Sequence, residues 1–187
     1  MYSPKRIKHR EYVDLFRREF DGSYTYLGPL TAFSAGKEAL KKERRKLWAL
    51  AAVIAAAIII TGLIPSRMMF NSFYTVIPYI FEIASCGFIV NALITLGKKE
   101  YPLHEYTYTR SAMVIPAWSL AAAAGAAAGC AGFVVFLILN GAGESILLIV
   151  IYFVLRVVSA AAALIMRRRV LNMDWESAGN AGYTSSR

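Results

Sequence analysis

The sequence predicts an all-α fold: a polytopic membrane protein, with a four-transmembrane-helix bundle behind a cytoplasmic, amphipathic N-terminal segment. Three observations predict it. The chain has 187 residues, is 57% hydrophobic and has a mean hydropathy of +0.46, too apolar for an ordinary soluble domain. Its apolar residues fall in four blocks, Leu47–Ile64, Phe70–Leu96, Ala112–Leu139 and Ser145–Met166, each at least 18 residues long. A helix needs about 20 residues to cross a bilayer core. The third observation is charge. The segment before the first block holds 12 Lys/Arg, the next only Arg67, the middle loop Lys98, Lys99 and Arg110, the last loop none, and the tail four. Rich and poor segments alternate as they do when both termini lie in the cytoplasm of a multi-pass protein of the cell membrane. The net charge of +9 is therefore a topology signal, and nucleic acid is not an expected partner.

Residues 1–46 form the cytoplasmic segment. In "HREYVDLFRREF", Tyr12, Val13, Phe16 and Phe20 fall within one helical arc, with Arg10, Asp14, Arg17 and Arg18 opposite. The spacing predicts an amphipathic helix that docks on the membrane, on its own bundle or on a partner protein. Asp21-Gly22 and Gly28-Pro29 are turn signals. A second helix, capped by Thr31 or Ser34, is expected to run through "KEALKKERRK" into the first span and to place Trp48 at the inner interface. The first apolar run starts behind a long charged segment, so it reads as an uncleaved anchor.

The four spans are about 47–64, 70–96, 112–139 and 145–166. The second and third are longer than a bilayer requires, and Pro78 and Pro116 are expected to kink them. "AAAAGAAAGCAG" in the third places Gly125 and Gly129 in a GxxxG pattern that lets backbones approach closely. Packing within one chain is the first reading of this face, and self-association is the second. Cys86 and Cys130 differ in depth by roughly 9 Å at the helical rise, too far for a disulfide. The middle loop's Tyr101, Tyr106 and Tyr108 read as interfacial tyrosines. The tail, residues 167–187, is basic at first. From Asn172 onward it is small and polar, and disorder is expected at its end.

Two ionisable residues lie deep inside spans. Glu82 follows Phe70 by 12 residues and Arg156 follows Glu144 by 12. Both blocks run in the same direction, so both charges lie about 18 Å from the outer face. On the second span Asn71, Thr75, Tyr79 and Ser85 share the arc of Glu82. On the fourth, Tyr152 and Ser159 share that of Arg156. An unpaired arginine at mid-span costs about 2.5–3.5 kcal/mol on insertion scales. Opposite unit charges at 4 Å attract by about 4 kcal/mol at an effective dielectric of 20. Pairing is therefore expected, either as a structural link that fixes helix register or as a coupling site. Asn91, on the opposite face from Glu82, is expected to hydrogen-bond to a neighbouring helix.

Catalytic patterns are missing. His9 and His104 are the only histidines, and there is no HExxH, GxSxG, Walker lysine or CxxC. No catalytic residue, metal site or cofactor is expected. Four spans with one membrane glutamate resemble the small multidrug exporters in outline. The long N-terminal segment and the arginine on the fourth span depart from that pattern, and no residue roles carry over. The leading expectation is a non-catalytic accessory or assembly protein that contacts another membrane protein as well as the lipid bilayer. The alternative is a small oligomeric transporter or channel working through Glu82 and Arg156.

Overall fold

The computed structural model describes residues 15–18, 20, 22, 24–64, 72–98, 101–141 and 145–180. Four long helices dominate it: α1 (Gly36–Leu63), α2 (Phe73–Lys98), α4 (Ile115–Asn140) and α5 (Ile146–Leu171). Each is long and apolar enough to cross a membrane. Their packing order is a ring, α1–α2–α4–α5–α1. Consecutive spans joined by short loops are forced into antiparallel neighbours, and the ring leaves α2 and α5 at opposite corners.

The outside of the bundle is apolar. Ile59, Ile60, Ile77, Ile80, Val154, Val157, Leu164 and many like them are exposed. Exposed apolar surface of that extent is expected only where lipid or protein covers it. Four such helices make this a multi-pass membrane protein. Inside, Leu47, Ile54, Ile89, Leu93, Ile115, Ala122, Ala163 and Met166 form the core. The core is rich in alanine because close helix approach in lipid depends on small side chains.

The helix boundaries shift from those expected in physically clear ways. α1 is a single helix through the charged run and the first span, as the sequence implies, but neither Thr31 nor Ser34 caps it. Thr31 is buried in a strand, Ser34 donates its hydroxyl to the Asp174 carbonyl at 3.1 Å, and Gly36, at φ +87°, turns the chain into the helix. Pro78 lies inside α2, but Pro116 sits in the first turn of α4, where its missing N–H costs nothing. The expected kink at Pro116 is therefore replaced by a helix start. A short helix, α3 (Glu105–Arg110), precedes it.

At one end the helices carry β-structure that the sequence reading did not anticipate. β1 (Phe16–Arg18) and β2 (Tyr24–Tyr26) form an antiparallel hairpin, with Phe16 opposite Tyr26 and Arg18 opposite Tyr24. Over Phe16–Arg18 this corrects the amphipathic helix expected for 9–20; residues 9–14 and 19 lie outside the described residues. Of its docking residues, Tyr12 and Val13 lie outside the described residues. Phe16 turns instead onto the protein's own rings, 5.2 Å from Tyr26 and 6.2 Å from His104, and Phe20 is fully exposed. The segment also alternates around Asp21-Gly22, and Gly22 at φ +83° supplies the bend. Ring stacking of Tyr26 on His104 at 3.9 Å favours the hairpin over an isolated short helix.

A second sheet has the order β4 (Leu103–His104), β3 (Pro29–Phe33), β5 (Trp175–Asn180), all antiparallel. It joins the N-terminal segment, the middle loop and the tail, the three segments that the charge pattern assigns to one side. The tail forms a strand as far as Asn180, and its end, residues 181–187, where disorder is expected, lies outside the described residues. Trp175 anchors it against Phe33 (5.6 Å) and Tyr108 (4.8 Å). Two of the middle-loop tyrosines pack at this end. Tyr101 donates its hydroxyl to the Phe33 carbonyl at 2.9 Å, and Tyr108 is buried.

Candidate functional site

α2 and α5 each turn one stripe inward. On α2 it includes Thr75, Tyr79, Glu82 and Ser85. On α5 it includes Tyr152, Arg156, Ser159 and Ala163. Residues three and four apart share a helix face, so the charges that the sequence places on these stripes point at the bundle axis. Their depths match as well, and they meet. Arg156 donates from Nη1 to Glu82 Oε2, and the Ser159 hydroxyl donates to Glu82 Oε1 at 2.5 Å. Both charged residues are at most 1% exposed.

Aromatic rings enclose the guanidinium. Its carbon lies 5.0 Å from the Tyr152 ring centre and 5.4 Å from that of Tyr79. Ring faces attract a cation, more strongly when both are dry. Each tyrosine is held at its hydroxyl: Tyr79 donates to the Ile58 carbonyl of α1 at 3.2 Å, and Tyr152 to the Gly129 carbonyl of α4 at 3.3 Å. Tyr152 also stacks on Phe133 at 4.3 Å. The site therefore draws on all four spans, with the pair itself bridging the diagonal.

The two expected packing glycines sit beside this pair. A methyl group at Gly129 would lie 3.2 Å from the guanidinium carbon and 3.4 Å from the Tyr152 hydroxyl. At Gly125 it would reach the Glu82 Cβ and the Pro78 carbonyl at 3.4 Å. The GxxxG face thus packs within the chain and seats the ion pair. Gly62, on a small-residue face of the first span, is equally tight, since a Cβ there would overlap the Tyr79 hydroxyl; sequence reasoning missed Gly132, where a Cβ would overlap the Tyr74 backbone carbonyl. The signal for Gly132 was available as the third glycine, one turn beyond Gly129.

Thr75 and Ser85 donate their hydroxyls to carbonyls near them in sequence, those of Ser72 and Phe81, both at 2.8 Å. Asn71 lies outside the described residues. Asn91 is exposed on the outer face of α2, which corrects the expectation of a bond to a neighbouring helix. Cys86 and Cys130 are free thiols.

Two donors at the site are left over. Arg156 Nε and Nη2 are buried and have no hydrogen-bond partner among the described residues. A guanidinium has five N–H donors in a fixed fork, and Glu82 engages it only through Nη1. Among the described residues no group of three or more His, Cys, Asp or Glu is placed to hold a metal ion. The chemistry the site can offer is electrostatic: one carboxylate with two donors and one guanidinium with donors to spare.

No known family model matches this chain, and neither a curated protein nor a solved structure matches it. The functional reading therefore rests on this geometry.

Proposed function

We propose that this is a non-catalytic membrane accessory or assembly protein, with its termini in the cytoplasm of the cell. The observation that carries this reading is the combination of a closed charged centre and a prebuilt platform. Glu82 and Arg156 are engaged with each other, with Ser159 and with two rings, which suits a fixed bundle better than a working pathway. The platform is the three-stranded sheet, whose outer strand β5 is exposed along Glu176–Gly179 and carries no further strand among the described residues. An exposed strand edge offers unpaired backbone groups to an added strand from a partner. The alternating basic residues support the orientation.

Purification from native membranes in a mild detergent tests this. A stoichiometric membrane-protein partner is expected to co-purify with the native chain and with the Glu82→Leu, Arg156→Leu double variant. It is expected to be lost when the chain is cut after Met173. A partner retained without β5 would sink the platform reading.

A second reading is favoured by one observation, the two unpartnered N–H groups of buried Arg156. Intramembrane charges commonly mark ion or substrate pathways. A small oligomeric transporter or channel using Glu82 and Arg156 would show substrate-dependent ion or proton flux in liposomes, and Glu82→Gln would abolish it.

A further inference from the structure

The outer face of α1 changes character along its length. Glu38, Lys41, Lys42 and Arg45 line an open recess of about 400 Å³ on that face. On the same exposed stripe follows Trp48, 38% exposed, and then Ala52, Ala56 and Ile60. At 100° per residue these positions stay within one broad arc of the helix. The stripe is therefore cationic for two turns, aromatic for one and apolar for three.

The recess is electrostatically unfinished. Neighbouring cations have protein partners: Lys46 pairs with Glu43 at 2.5 Å, Arg169 with the same carboxylate at 3.3 Å, and Arg44 donates to the Gly97 carbonyl at 3.4 Å. Among the described residues, none of the salt bridges involves Lys41, Lys42 or Arg45, which leaves three cations facing one carboxylate. Glu43, the nearby acid that could have balanced them, is turned toward Lys46 and α5.

We infer that this stripe binds one anionic phospholipid, its phosphate in the Lys41–Lys42–Arg45 recess and an acyl chain along the apolar turns. Charge complementarity selects the anion, and the helix sets the depth. From Trp48 to Ile59 is 11 residues, about 16 Å at the helical rise, which matches one leaflet of a hydrocarbon core roughly 30 Å thick. Trp48 falls at the headgroup boundary, where an indole keeps its N–H wet and its ring in lipid. Lysine and arginine next to a membrane surface are drawn to anionic lipid headgroups. The site needs neither a transport role nor a protein partner.

The full chain, purified in a neutral detergent, supplies the test. Thermal unfolding is followed after adding phosphatidylglycerol, phosphatidylcholine or inorganic phosphate. Phosphatidylglycerol is expected to raise Tm by about 3 °C or more, with little effect from the other two. Lys41→Gln, Lys42→Gln and Arg45→Gln together are expected to weaken phosphatidylglycerol binding about tenfold or more and to remove the shift. An equal shift with phosphatidylcholine overturns the proposal. So does a full shift with inorganic phosphate, which would mark a free-anion site, or an unchanged shift in the triple variant. If that variant does not purify, quenching of Trp48 decides, with Trp48→Phe as the blank. Dibrominated phosphatidylglycerol is expected to quench about twofold more than dibrominated phosphatidylcholine, and equal quenching overturns the assignment.

Discussion

Glu82 and Arg156 meet at the bundle axis from helices that stand at opposite corners of the ring. A contact across the diagonal constrains α1 and α4 as well, because Tyr79 and Tyr152, which face the guanidinium, are bonded to those two helices. The pair therefore acts on the register of all four spans at once.

Removing either charge should be costly, and unequally so. Breaking a buried pair from one side typically costs about 3–5 kcal/mol. A stranded carboxyl can neutralise itself by taking a proton, whereas a guanidinium keeps its charge. Glu82→Ala should thus lower the unfolding temperature more than Arg156→Ala. The double replacement by leucine should recover much of the loss in detergent or lipid. Additive damage in the double variant would mean that the contact contributes nothing. Recovery of folding with loss of biological activity would make the pair a working site.

The glycines of α4 should rank by what a methyl group would strike. Gly132→Ala drives a Cβ into the backbone carbonyl of Tyr74, which cannot rotate away. Overpacking of this sort costs about 1–3 kcal/mol. Gly125→Ala meets atoms at 3.4 Å and should fall within about 0.5 kcal/mol of the native protein. Gly129→Ala, pressed on the guanidinium, should lie between them. Thermal unfolding of the three variants checks the order, and equal losses at Gly125 and Gly132 would contradict it.

The spans and the ion pair were legible in the sequence because each rests on a long-range regularity. Apolar length gives the helices, and depth counted along two parallel spans brings Glu82 to Arg156. The sheet was not legible for the opposite reason. Its strands are two to six residues long, and β3 is completed by a tail from the far end of the chain. Nothing local in "WESAGN" marks a strand apart from its tryptophan. Phe16 shows a different difficulty, since its neighbours satisfy a helical arc and a strand alternation equally well. The stack of Tyr26 on His104 decides between them, and that contact joins residues far apart in sequence.

Trp175 should hold the tail in place. Its ring lies between those of Phe33 and Tyr108, so Trp175→Ala removes the main apolar anchor of β5. The expected cost is about 1–3 kcal/mol for the sheet, with the helical bundle left folded. Limited proteolysis should cut the variant beyond Met173 well before the native chain, while circular dichroism keeps its helical signal. Unchanged protection of the tail would show that the backbone ladder alone suffices.

Orientation can be settled by cysteine labelling, with Cys86 and Cys130 first replaced by alanine. Tyr106 lies in α3 beside the sheet, and Ser177 lies on β5, so cysteines at both sites should behave alike. Gly141 follows α4 at the other end of the bundle, and Arg67 stands in the short basic-poor segment between the first two spans. An impermeant maleimide should label Gly141→Cys and Arg67→Cys in intact cells. It should reach Tyr106→Cys and Ser177→Cys only after lysis, because the ends rich in lysine and arginine stay inside. The two possible failures differ in meaning. Reversed labelling would overturn the charge-based orientation and leave the bundle intact. Labelling of Tyr106 and Gly141 from the same side would contradict the crossing of α4 itself, and with it the matched depth that brings Glu82 to Arg156.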